Sequence, residues 1–184
     1  MERIDLLSPL LVAKFMQLSS RQEPENVRLS RVPHIVPAEQ LTGEDEEETA
    51  LLRQMLEKAK LYALSFSWCD SIINSYFGGG VGKIIAIFLF NISTERADVD
   101  PWMWIIVGDI PSAYLPLEDC NSPMSVFDTY VDGMQRWANL ARKGQNGTAL
   151  EGIPPVNVPA TPEWAEQIQS RLRLLNELAK PFFE

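Results

Sequence analysis

KIIAIFLFNIS, residues 83–93, and PWMWIIVGDIPSAY, residues 101–114, decide the fold of this chain. Side chains alternate across a strand, so Ile85, Ile87 and Leu89 share one face while Ile84, Ala86, Phe88 and Phe90 share the other. The second stretch repeats the pattern, with Trp102, Trp104 and Ile106 on one face and Met103, Ile105 and Val107 on the other. A sheet with one wet face would alternate apolar with polar residues. Both strands are therefore central, and each face of their sheet needs a cover. The polar NISTERADVD between them suits a hairpin-type connection and antiparallel pairing.

Upstream, the cluster Gly78-Gly79-Gly80 reads as a tight turn into Lys83 that ends a strand within residues 66–77. Thr42 with Asp45 three residues on reads as a capping box, and the acidic run 44–48 as a first helical turn, where carboxylates complement the helix dipole. Leu51, Leu52, Met55, Ala59 and Tyr62 share a face and carry this helix to the neighbourhood of Leu64. Pro24, Pro33 and Pro37 forbid regular helix across residues 21–41 and favour an extended arm, before which Ser8 and Pro9 open a short helix.

Downstream, Ser122 and Pro123 are an N-cap and a first helical position. Phe127, Tyr130, Val131, Met134, Trp137, Ala138 and Ala141 then recur at helical spacing, with Gly144 as the stop. IPPVNVPA must be extended, and Thr161-Pro162-Glu163 starts a last helix lined by Trp164, Ile168, Leu172, Leu175 and Leu178 until Pro181. The expected fold class is α+β, a small antiparallel β-meander of about three to four strands packed against helices. The expected organisation is a helix and arm over residues 1–41 and a single α+β domain over residues 42–184.

A chain of 184 residues buries about 70% of its unfolded surface and needs no cofactor to fold. Its net charge of -9, from 25 acidic against 16 basic residues, repels phosphate backbones and anionic lipid, so no nucleic acid and no membrane partner is expected. No apolar run approaches the ~20 residues of a membrane span. The two cysteines, Cys69 and Cys120, are too few for a disulfide framework and read as reduced thiols of a cytoplasmic protein. Cys69 lacks a legible cationic neighbour and reads as a buried structural residue beside Trp68.

The motif GGGVGK, residues 78–83, fails as a phosphate loop because Ile84 stands where a Ser or Thr is needed and a strand follows instead of a helix. His34 is the single histidine, with no ligand spacing around it, so no metal and no catalytic residue is assigned. In a meander, Asp109 would share one rim of the sheet with Lys83 and the glycine turn. Gly79, Gly80, Lys83, Asp109 and Tyr114 therefore form the candidate ligand-binding set, a carboxylate, an ammonium and a phenol beside exposed backbone N–H groups. Against it stands a plainer role, which weighs more: Asp109 caps its own turn toward Pro111-Ser112 and pairs with Lys83 to hold register.

WMWIIVGDIPSAYLPLEDCNSPMSVFDTYVDGMQRW, residues 102–137, resembles bacterial domains of unknown function that carry a W-x-W-hydrophobic-x-x-G-D-[IL]-P-x-x-Y block followed by a Pro-started, Trp-containing helix. FGGGVGKIIAIFLF, residues 77–90, and VNVPATPEWAEQIQSRL, residues 156–172, are similar to companion blocks of such proteins. The resemblance leaves the N-terminal arm unmatched and implies no activity. The expected function is an interaction or regulatory role in the cytosol, with another protein or a second copy as partner. An immunity-like acidic protein that neutralises a basic toxin is its more specific form. A small-molecule binder or enzyme using Lys83, Asp109 and Tyr114 is the alternative.

Overall fold

The computed structural model describes residues 28–146 and 152–183, so the helix expected at Ser8 lies outside the described residues. The chain divides into two units, Met1–Val32 and Pro33–Glu184. In the first, the described residues form one turn closed by the Val32 N–H on the Leu29 carbonyl at 3.0 Å. The division precedes the 41/42 boundary expected above, because Val36 and Pro37 pair with the sheet and Leu41 is 0% exposed in the core.

The second unit is α+β. Five strands, β1 (Val36–Pro37), β2 (Ser71–Val81), β3 (Ile85–Ser93), β4 (Trp102–Gly108) and β5 (Ala113–Pro116), form one antiparallel sheet in chain order. Among the described residues three helices accompany it: α1 (Glu46–Leu64), α2 (Pro123–Ala141) and α3 (Pro162–Leu178), with short 3-10 turns at Ala38–Gln40 and Lys180–Phe183. The strand count exceeds the expectation because β1, of 2 residues, and β5, of 4, are too short to show an alternating pattern. Among the described residues no helix is long and apolar enough to cross a membrane.

Both sheet faces are covered. Ala86, Phe88, Phe90, Met103, Ile105 and Val107 pack with Leu52, Met55, Leu56, Ala59 and Ala63 of α1. The register Phe88↔Ile105 and Phe90↔Met103 places these side chains directly opposite one another, where cross-strand contact is closest. Ile85, Ile87, Leu89, Trp104 and Ile106 point the other way and are equally closed. On that side Trp104 Nε1 donates to the Cys120 carbonyl just ahead of α2 at 2.7 Å, and Pro123 lies with the Trp104 ring over Gly78. Lys180 reaches Asp128 at 3.1 Å and Gln169 reaches Asn139 at 3.3 Å, so α3 runs antiparallel to α2.

Two local readings are corrected. The N-cap of α1 is Asp45 and not Thr42: its carboxylate accepts from the Glu48 N–H at 2.8 Å, and the Glu48 carboxylate reaches back to the Glu44 N–H at 2.9 Å. The glycine cluster does not make the turn. Gly78–Gly80 lie inside β2, at a bulge between Phe77 and Gly79, and the chain reverses only at 82–84, where the Ile84 N–H donates to the Val81 carbonyl at 3.0 Å. Gly79 has φ 135°, and a Cβ there would stand 2.8 Å from the Phe182 carbonyl oxygen; at Gly80 it would stand 2.6 Å from that of Ile85. The glycines thus permit close approach, while Lys83, at φ 66°, holds the left-handed turn position.

In urea denaturation, Gly79→Ala is expected to lose about 1–3 kcal/mol through combined backbone strain and steric clash. Lys83→Gly is expected to gain up to about 1 kcal/mol by relieving the left-handed penalty.

Candidate functional site

The end of β4 and the loop that follows it, GDIPS at 108–112, are held from every side of the fold. The Asp109 N–H donates to the Ile84 carbonyl at 3.1 Å, which fixes the loop to the start of β3. From α1, Lys58 Nζ donates to the Gly108 carbonyl at 2.7 Å and the Tyr62 phenol to the Ser112 carbonyl at 3.2 Å. From α2, the Tyr130 phenol donates to the Pro111 carbonyl at 2.8 Å. From α3, Arg171 grips the Asp109 carboxylate, Nε to Oδ2 at 3.1 Å and Nη2 to Oδ1 at 3.5 Å. All three helices therefore converge on one short loop at a single rim of the sheet.

Burial sets the chemistry of the two phenols. Tyr130 is pushed far above the ordinary phenol range first by burial and then by Tyr62; Tyr62 is pushed up by burial and then by Tyr114. Both stay protonated as donors and are unsuited to act as bases near neutral pH. Burial also raises the thiols, Cys69 with a further push from Asp70 and Cys120 despite the opposing influence of the neighbouring Thr129 and Ser125. A raised, buried thiol is a poor nucleophile.

Around this loop lie two concavities that share Pro111 and Val158. The first, of 270 Å³, is lined by Asp109, Ile110, Pro111, Val158, Trp164 and Arg171 among others. The second, of 560 Å³, lies toward α1, between Tyr62 and Phe66 on one side and Pro155, Val156 and Asn157 on the other. The proline-rich segment expected to be extended thus forms one wall of both. Thr161 caps α3 by accepting from the Trp164 N–H at 3.4 Å. This positions Trp164, Ile168 and Arg171, spaced at helical intervals, along the rim.

The residues singled out from sequence do not form one site. Lys83 and Asp109 do share the sheet end, but the carboxylate of Asp109 is engaged by Arg171 and not by Lys83. Tyr114 pairs across the sheet with Ile105 and turns toward α1, its ring 5.1 Å from Phe66 and 5.0 Å from Trp68. Gly79 and Gly80 are packed within β2, under Phe182 and Phe183 and against Ala86. Arg171, Trp164 and Tyr62 complete the rim, and only the helical spacing of Trp164 and Arg171 could have pointed to them. Among the described residues, no group of three or more His, Cys, Asp or Glu is placed to hold a metal, and His34 is exposed at φ 59°.

Compared with protein-family models, curated proteins and solved structures, the chain matches none of them.

Tyr130→Phe is expected to lose about 1–3 kcal/mol in urea denaturation, because the Pro111 carbonyl loses its donor inside the fold. An alkaline series gives a second check. Unfolded phenols release their protons near pH 10 while the native ones keep theirs, so the unfolded state binds fewer protons and stability falls only as pH rises above that point. The fall is about 1.4 kcal/mol per pH unit for each such phenol, and Tyr130→Phe should make it shallower.

Proposed function

We propose that this protein is a cytoplasmic interaction module that binds a basic segment of a partner protein along the β4–β5 rim. The observation that carries this reading is that exposed Asp109 and Trp164 line one concavity beside a clamped loop. The Asp109 side chain is 73% exposed, and Trp164 is 40% exposed. Arg171 uses only part of the acceptor capacity of the carboxylate, which can take about four hydrogen bonds. A partner Lys or Arg can lie over the indole face, a contact of about 0.5–2 kcal/mol, while it reaches Asp109. The net charge of -9 would steer such a segment toward the surface.

Of the two concavities at this rim, the one beside Asp109 and Trp164, of 270 Å³, falls just below the roughly 300–1,000 Å³ common for ligand sites, and its neighbour, of 560 Å³, falls within it. The exposed side chains and not the volume therefore favour a protein partner. Exposed Trp and Arg side chains beside a rigid backbone are the kind of group that dominates binding energy in protein interfaces. Neutralising a basic toxin is the specific role in keeping with this chemistry. The two free, buried thiols fit a reducing compartment.

The test is quantitative capture of partners from host lysate by the tagged wild type and by Trp164→Ala and Asp109→Asn. The expected result is one basic protein retained by the wild type and lost from both variants, whose unfolding midpoints are unchanged. With that partner purified, the association rate should fall at least about tenfold between low and high salt. A retained metabolite with no retained protein would overturn the reading in favour of the small-molecule alternative.

A further inference from the structure

A separate cleft, of 610 Å³, runs along the seam of α2 and α3 and is lined by Gln135, Arg142, Glu166, Gln169, Ser170 and Arg173. Glu166, Gln169, Ser170 and Arg173 recur at helical spacing on the side of α3 opposite Trp164, Ile168 and Arg171. The volume lies well inside the range of roughly 300–1,000 Å³ for small-molecule sites.

We infer that this cleft binds an organic phosphate that carries hydroxyl groups. The chain holds 25 acidic against 16 basic residues, so cations have an excess of carboxylates to choose from. Arg96 pairs with Asp98, Arg171 with Asp109 and Lys180 with Asp128. Among the described residues, Arg142 and Arg173, like Arg53, Arg136 and Lys83, form no ion pair; what sets these two apart is that both line one cleft, together with Glu166. The cleft sets two guanidinium groups against one carboxylate, and the planar donor forks of arginine match phosphate oxygens. Ser170 adds a hydroxyl donor.

The remaining lining suits the hydroxyl-bearing part of such a ligand. Asn139 Oδ1 accepts from Gln135 Nε2, one turn away on α2, at 3.5 Å, and from Gln169 Nε2 of α3, across the seam, at 3.3 Å. The carbonyl oxygens of the two glutamines remain as acceptors, and the Glu166 carboxylate is a third. The cleft thus has donors for an anion and acceptors for hydroxyl groups. The carboxyl end of α2 would disfavour an anion through its dipole, but its last carbonyls are already occupied. The Gly144 N–H donates to Ala141 at 2.9 Å and the Gln145 N–H to Leu140 at 3.0 Å.

The test is a titration of the full chain with glucose 6-phosphate, inorganic phosphate and glucose, followed by the arginine Nε–Hε resonances in NMR. The expected result is saturable shifts at Arg142 and Arg173 with glucose 6-phosphate, a Kd at least about tenfold below that for inorganic phosphate, and no saturation with glucose. Arg142→Gln and Arg173→Gln should each raise that Kd at least about tenfold, whereas Arg96→Gln should leave it unchanged. Glu166→Gln should shrink the advantage over inorganic phosphate. Absence of saturation in the millimolar range, equal affinity for inorganic phosphate, or binding that survives both arginine substitutions would overturn the assignment.

Discussion

The hydrogen bond from the Tyr130 phenol to the Pro111 carbonyl, with its counterpart from Tyr62 to Ser112 on the opposite side of the sheet, is the constraint on which the rim depends. A sheet apolar on both faces must be sandwiched, so the loop leaving its central strand emerges between two layers where water does not reach every carbonyl. Each such carbonyl needs a donor from the protein. The fold supplies them from α1 and α2, and α3 adds Arg171 on the neighbouring carboxylate. One requirement of the backbone thereby ties three helices to a single turn.

The central strands were legible because their two-faced apolar runs allow no other placement. The starts of α2 and α3 were legible because Ser122-Pro123 and Thr161-Pro162 state their caps locally. The glycine cluster was misread for a physical reason. Glycine is required both where a chain turns and where backbones approach closely, and residue type alone does not separate the two. The partner of Asp109 was illegible because Arg171 lies 62 residues away and reaches it only through the packing of α3. Tyr114 was assigned to the rim from its proximity in sequence, but strand alternation sends it toward Phe66 and Trp68.

The clamp and the surface divide the labour of recognition. The loop residues are fixed, so a partner meets an indole and a carboxylate that pay little ordering entropy on contact. The phenols that do the fixing are protonated, Tyr130 buried and Tyr62 half-buried, and the thiols are poor nucleophiles. The chemistry that remains at the surface is therefore of charge, aromatic faces and hydrogen bonds. Along the α2–α3 seam the same molecule presents the opposite sign, two arginines on a chain that is otherwise strongly acidic.

The most direct measurement of the central claim is native-state hydrogen exchange of the Asp109 amide compared with those of Ile105 and Ile106 in β4. A clamped loop predicts that the Asp109 amide, held on the Ile84 carbonyl, exchanges only through the same global opening as the strand. Exchange orders of magnitude faster at Asp109, with β4 still protected, would contradict the account and leave the rim a loose loop on a rigid sheet.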